Sequence, residues 1–319
     1  MMILVALLLI GCGQSYEETK RISREQRREM ARKDSAALKI AVMPTLDCLP
    51  LFVAQQEELL DTLHGGVRLK MYKAQMDCDT ALQRGRVEGM VTDLVRAVRI
   101  NRQGTKMRYE AVTTAYWQLI TNRQSRIRQL KQLDDKIVAM TRYSATDMLS
   151  DKARDSAKLA DNHLFKLQLN DVNVRMQMLM NNEIDALWLT EPWATMARIY
   201  KHPVLMDSRE TGMQLGVLAF RDKEMQRLAR KEQLTLLIDA WNKACDLINE
   251  KGVKHYKQLI VEKCKVKAQV VDSLPPMRYE HAQGPRQQDM EQVGLWLDSN
   301  SKFMATPRPQ GEKEKKSKN

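Results

Sequence analysis

The chain lacks the residue patterns that build metal, redox and most catalytic sites. Its five histidines, His64, His163, His202, His255 and His281, stand far apart, with none at ligand spacing from another. Its five cysteines include no C-x-x-C pair. A Gly-rich phosphate loop, a nucleophile elbow and a zinc helix are all missing, so nothing marks an enzyme, a resident metal or a cofactor. No apolar run reaches the roughly 20 residues that span a bilayer as a helix. The formal net charge of +12 invites nucleic acid as a partner, but no zinc-finger spacing, RNA-binding signature or dense basic helix accompanies it. Much of the charge sits at the ends. Glu17 to Asp34 holds seven basic and five acidic residues, and Ala305 to Asn319 five and two. The +7 that remains is scattered over about 270 residues, the pattern of a solvated surface and not of a nucleic-acid face.

What is present begins with an apolar run, Ile3 to Ile10, that ends in Leu9-Ile10-Gly11-Cys12. Its length suits the h-region of a secretory signal. Those four residues resemble the bacterial lipobox, although no Lys or Arg precedes the run. The resemblance implies a signal peptide over 1–11, lipid on Cys12, and membrane attachment through that lipid in the cell envelope, on the periplasmic or outer-membrane face. The alternative is a buried N-terminal strand. Residues 12–37 are too charged to bury a face and read as a tether, helix or coil; residues 301–319 read as a basic tail.

An internal repeat organises the rest. Leu82 to Leu94 aligns without a gap on Leu179 to Glu191, matching Leu82 with Leu179, Gly85 with Asn182, Val87 with Ile184, Glu88 with Asp185 and Gly89 with Ala186. In each copy a helix ends at a residue able to take a left-handed cap, and a short apolar strand follows that ends at polar residues. Apolar strands alternate with helical stretches on both sides, which predicts a βα chain. Strands are expected at Leu38 to Met43, Val67 to Met71, Met90 to Val91, Met107 to Val112, Lys136 to Met140, Phe165 to Leu169, Ala186 to Leu189 and Val204 to Met206. Helices are expected at Leu51 to Leu60 and Val172 to Met180. Tyr116 to Thr121 and Gln214 to Phe220 fall where the chain would cross between lobes. Leu234, Leu237, Ile238, Trp241, Cys245 and Ile248 form a core-facing helical stripe.

Four segments carry a family resemblance: Leu38-Lys39-Ile40-Ala41-Val42, Leu49-Pro50-Leu51-Phe52-Val53-Ala54-Gln55, Leu133-Asp134-Asp135-Lys136-Ile137-Val138-Ala139, and Glu183 to Trp193. In this order and spacing the chain, over roughly Leu38 to Leu297, resembles the sulfonate, nitrate and thiamine-pyrimidine branch of type II periplasmic substrate-binding proteins of ABC importers. The resemblance implies an α/β fold of two lobes, each a mixed, mostly parallel sheet flanked by helices, joined by a two-strand hinge. Lobe 1 would take 38–114 and be completed by 207–300 with C-terminal helices, and lobe 2 would take 115–206. It also implies a monomeric, non-enzymatic receptor that closes on a small-molecule solute and delivers it to a permease and its ATPase. One branch of the family makes a thiamine pyrimidine with a cysteine- and histidine-rich loop, and this chain has no such loop.

Ligands of open α/β sheets bind beyond the carboxyl ends of the strands. Here those ends offer Thr45, Asp47, Asp77, Asp79, Thr92, Asp93, Arg142, Tyr143, Ser144, Thr146, Glu191 and Trp193, and the hinge adds Tyr116 and Trp117. Five carboxylates against Arg142 suggest an amine or aminopyrimidine-like ligand, since one carboxylate–amine pair about 4 Å apart gains about 4 kcal/mol at an effective dielectric of 20, before desolvation. The alternatives are a small anion, such as a sulfonate or nitrate, held by Arg142 and the Ser144-Thr146 loop, a zwitterion, or a structural or adhesive surface lipoprotein without a small ligand. Asp79 and Asp93 also read as helix N-caps, and Trp188 and Trp193 as core. Cys48 with Cys78, and Cys245 with Cys264, are the pairings expected for an exported protein.

Overall fold

A computed structural model describes residues 16–60 and 66–300. The signal peptide and Cys12, His64 and the basic tail 301–319 lie outside them. Of the tether, Tyr16–Ala36 forms a helix, α1. No helix among the described residues is long and apolar enough to cross a membrane.

The remainder alternates strand and helix. The first stretch runs β1 (Leu38–Val42), α2 (Leu49–Gln56), β2 (Val67–Met71), α3 (Gln75–Gln83), β3 (Gly89–Asp93), α4 (Leu94–Arg102) and β4 (Met107–Val112). The second runs β5 (Gln118–Thr121), β6 (Lys136–Met140), α5 (Ala145–Ala157), β7 (Leu164–Gln168), α6 (Val172–Met180), β8 (Ala186–Leu189), α7 (Trp193–Ile199) and β9 (Val204–Asp207). The chain then returns as β10 (Gly216–Arg221) and closes with helices α8 (Asp222–Met225), α9 (Leu228–Lys251), α10 (Lys257–Cys264), α11 (Ala268–Asp272) and α12 (Gln287–Ser299).

Two five-stranded sheets result, ordered β2-β1-β3-β10-β4 and β7-β6-β8-β5-β9. In each, four strands run in one direction and the strand fourth in order is antiparallel to both its neighbours. That fourth strand, β5 or β10, is the one entered on crossing from the other lobe. The crossing segments therefore become strands of the sheet they arrive in, and the links between lobes shorten to 113–117 and 208–215. At the second link Gly216 is sterically required, because a Cβ there would lie 2.1 Å from Thr113 Oγ1.

The repeat is explicit in hydrogen bonds. Gly85 and Asn182 take left-handed φ of 70° and 62°. Arg86 N donates to Ala81 O at 2.8 Å and Glu183 N to Met178 O at 2.9 Å, the same six-to-one closure of α3 and α6. Glu88 accepts from Lys39 N at 2.8 Å, and Asp185 from Ile137 N at 3.0 Å, so each copy's acid pins the start of the neighbouring parallel strand, β1 or β6.

Other boundaries move for local reasons. Helix α2 begins two residues earlier than expected because Pro50 suits a first turn, and ends early because Glu58 takes φ 54°. Strand β3 is longer than its apolar pair because β10 pairs with all of it, from Gly89 to Asp93. On α9, Leu234, Leu237, Trp241, Cys245 and Ile248 are buried and Ile238 packs at their edge. The expected disulfides are not formed. Cys48, Cys78, Cys245 and Cys264 are all free and buried, and Cys245 Sγ donates to Glu280 O at 3.3 Å.

Candidate functional site

The carboxyl ends of the parallel strands in the two sheets face each other, and direct bonds join them. Ala145 N, at the start of α5, donates to Asp93 Oδ1 at 2.9 Å. Leu46 N donates to Glu191 O at 3.0 Å, and Trp193 Nε1 to Pro44 O at 3.2 Å. The first two contacts are related by the repeat: in each, the turn after β1 or β6 meets the end of the other lobe's central strand, β8 or β3.

Between these contacts lies a cavity of about 100 Å³. Thr45, Asp47, Thr92, Asp93, Trp117, Ser144 and Thr146 of the expected site residues line it. The others stand elsewhere. Asp77 is exposed on the first turn of α3. Asp79 lies inside α3, not before it, and is bound by Arg96 through Nε at 3.2 Å and through Nη2, and by Arg99 Nη2 at 3.3 Å. Glu191, 1% exposed, accepts from Tyr116 OH at 2.9 Å, Thr195 N at 2.9 Å and Arg198 Nη2 at 2.7 Å. Tyr116, whose hydroxyl is held protonated by burial and by Glu191, lies under the Arg209 guanidinium at 4.0 Å, on the hinge. Trp193 spans the lobes beneath the site.

Arg142 is exposed and points away, towards a second depression beside α5 and α12 that Tyr143 shares. The turn explains this. Tyr143 takes φ 53° and donates its N–H to Asp147 Oδ2 at 2.8 Å, and Ser144 caps α5 by accepting from Thr146 N at 3.1 Å. Arg142 precedes that reversal and is carried to the outside.

Two other arginines supply the cations of the cavity. Arg96 is 1% exposed and Arg175 is 6% exposed. Arg96 is neutralised on one edge by Asp79, but its Nη1 is buried without a hydrogen-bond partner, as is Thr92 Oγ1. Arg175 donates to Leu169 O at 2.6 Å, to Trp188 O at 3.1 Å and to Thr141 Oγ1. All three acceptors are neutral, and Arg175 forms no ion pair among the described residues. Burial, and then the nearby Arg96, push its pKa down to about 10. The acids left at the cavity lean towards neutral. Burial raises the Asp93 pKa to about 6. Burial also raises Asp47, whose Oδ1 is out of solvent without a partner. Two buried guanidiniums thus stand at the cavity, where counting residues at the strand ends found only Arg142 as a cation.

Both arginines had a signal in the sequence. Arg96 interrupts Leu94-Val95-Arg96-Ala97-Val98, and Arg175 shares a helical stripe with Val172 and Leu179. An arginine on a core-facing stripe is costly unless something polar awaits it. For metal, the described residues offer one group, Asp134, Asp135 and His163. It lies at the opposite end of the second sheet from the cavity, and a 2.6 Å hydrogen bond between His163 Nδ1 and Asp134 accounts for its approach.

No protein-family model and no curated protein matches the sequence. Solved structures do. The alkanesulfonate-binding protein SsuA from Xanthomonas axonopodis pv. citri, bound to MOPS, aligns with a TM-score of 0.71 at 16% identity, over 86% of this chain and 95% of that one. The ligand-binding component of an ABC-type import system from Staphylococcus aureus, with zinc bound, gives 0.67 at 15% identity over 84% and 92%. The periplasmic nitrate-binding protein NrtA from Synechocystis PCC 6803 gives 0.66 at 12% identity over 86% and 83%. With two matching five-stranded sheets and a cavity between them, the chain has the fold of the type II periplasmic substrate-binding proteins of ABC import systems.

Proposed function

We propose that this protein is the extracytoplasmic solute-binding component of an ABC importer, that it performs no covalent chemistry, and that its solute carries a small oxyanion such as a sulfonate or nitrate. The observation that carries the reading is Arg175, a buried guanidinium bonded only to neutral acceptors, facing the cavity that also holds the unmet Arg96 Nη1 and Thr92 Oγ1. An oxyanion satisfies all three at once. An amine would instead meet two cations, and of the carboxylates expected to hold it Asp79 and Glu191 are engaged by Arg96, Arg99 and Arg198. The names of the SsuA and NrtA neighbours point the same way. The cavity is small beside the roughly 300–1,000 Å³ of drug-sized sites, which suits a headgroup of a few heavy atoms.

Capture works by population shift. Arg96 and Thr92 belong to one lobe and Arg175 to the other, so only the closed form completes the site, and the solute favours closure by that difference in affinity. Lipid on Cys12 would hold the receptor near its permease. Thermal-shift and calorimetric titration with methanesulfonate, longer alkanesulfonates, nitrate, amines and aminopyrimidines tests the reading. Stabilisation by at least one oxyanion and by no amine is expected. Stabilisation by amines alone would overturn it.

A further inference from the structure

We propose that Asp93 is a built-in competitor for the solute's oxyanion, so that capture exchanges one carboxylate for one ligand anion. The inference rests on the oxyanion reading above and concerns how that same site is filled and emptied.

The geometry is specific. Helix α5 has 13 residues, and the amides of its first turn have no acceptor within the helix. Ser144 Oγ takes the Thr146 amide and Ser144 O those of Asp147 and Met148. The Ala145 amide is the one left to point at an anion, and Asp93 Oδ1 occupies it from the other lobe at 2.9 Å. The same oxygen takes the Arg96 amide at 3.0 Å as the N-cap of α4. Two helix N-termini from opposite lobes thus converge on one internal oxygen. Around it, Arg96 Nη1 and Thr92 Oγ1, on residues at least nine-tenths buried, border the same cavity without partners. The pocket offers donors in excess while its best-placed helix terminus is already taken. An arriving oxyanion gains the free donors but meets the carboxylate's charge, and it gains the Ala145 amide only when Asp93 gives it up.

Acid therefore favours capture. The groups facing Asp93 are Arg96 and Arg99 on α4, Asp79 on α3, Asp47 on the turn after β1, Arg175 on α6 and the α5 terminus. Burial outweighs the cations, and Asp93 titrates near pH 6. Sulfonates and nitrate do not titrate between pH 5 and 8, so any dependence in that range belongs to the protein.

The test is calorimetric titration of the whole protein with methanesulfonate and with nitrate at pH 5, 6, 7 and 8, for the native chain, Asp93→Asn and Asp47→Asn. Where binding requires the protonated carboxyl, affinity falls up to tenfold per pH step above the titration point, and a loss of about tenfold or more is expected from pH 5 to 8. Asp93→Asn keeps an oxygen for both amides; it should flatten the profile and bind more tightly than the native protein at pH 8. Asp47→Asn, beside the same cavity, changes the affinity itself but should leave the dependence on pH in place. A native profile that is flat, a slope abolished by Asp47→Asn instead, or weaker binding by folded Asp93→Asn at pH 8 overturns the proposal. Should Asp93→Asn fail to fold, the native profile and the Asp47→Asn profile still decide. Binding that ignores pH sinks this inference alone, whereas no binding of any anion at any pH sinks the oxyanion reading with it.

Discussion

Replacing Arg175 with Met separates binding from stability, because the two should move independently. A pKa held near 10 instead of the usual 12.5 corresponds to roughly 3 kcal/mol by which burial disfavours the charged form in the free protein. Met has a similar length and no charge to desolvate, so the substitution removes that cost. It also leaves Leu169 O, Trp188 O and Thr141 Oγ1 without their donor, at about 1 kcal/mol each. The two effects nearly offset, and Tm should stay within a few degrees of native. Binding has no such compensation. A guanidinium about 4 Å from an oxyanion gains about 4 kcal/mol at an effective dielectric of 20. After the ligand's own desolvation, a loss of about 3 kcal/mol is expected, roughly a hundredfold in Kd. Calorimetric titration with the best oxyanion found, beside thermal melts of the free proteins, reads both quantities. A Kd within threefold of native in a folded Arg175→Met would refute the reasoning, because the buried cation would then be an element of packing and not of the site.

Two further outcomes follow from the packing. Alkylation under native conditions should leave Cys48, Cys78, Cys245 and Cys264 unmodified, and after denaturation without reductant all four should react, since they are buried, unpaired and held as thiols by burial; a disulfide-linked peptide in a non-reducing map would contradict this. Asn182→Gly should be neutral or slightly stabilising in thermal melts and Gly85→Ala destabilising by about 1 kcal/mol, because both positions need a left-handed backbone; equal effects of opposite order would refute the shared cap.

The fold was legible because its determinants are local. Gly85 and Asn182 announce a left-handed cap whatever surrounds them, and the strands after them are apolar because both faces are covered. Even the acid at the repeated position, Glu88 or Asp185, has a local duty to the neighbouring strand. What the sequence did not expose is long-range. That β5 and β10 run antiparallel within the sheet the chain has just entered follows from the closing of two lobes, and no residue within Gln118 to Thr121 encodes it. In a chain expected to be exported the four cysteines looked like two pairs, but pairing depends on distances that spacing does not carry.

The charge that faces the cavity is the hardest of these to read from a sequence, and the difficulty has a general cause. A count of charged residues at strand ends treats each as free to face a ligand, whereas burial makes every charge find a partner or lose its proton. Asp79 and Glu191 found arginines, Asp47 and Asp93 are pushed towards the neutral acid, and Asp77 and Arg142 stayed in solvent. What remains to greet a solute is the residue of this pairing: Arg175, which met only carbonyls and a hydroxyl, and the unused edge of Arg96. In a chain whose visible cleft residues are mostly acidic, the cavity thereby keeps a buried cation, Arg175, that no acid pairs among the described residues. The informative residue is the buried charge that no protein group has answered.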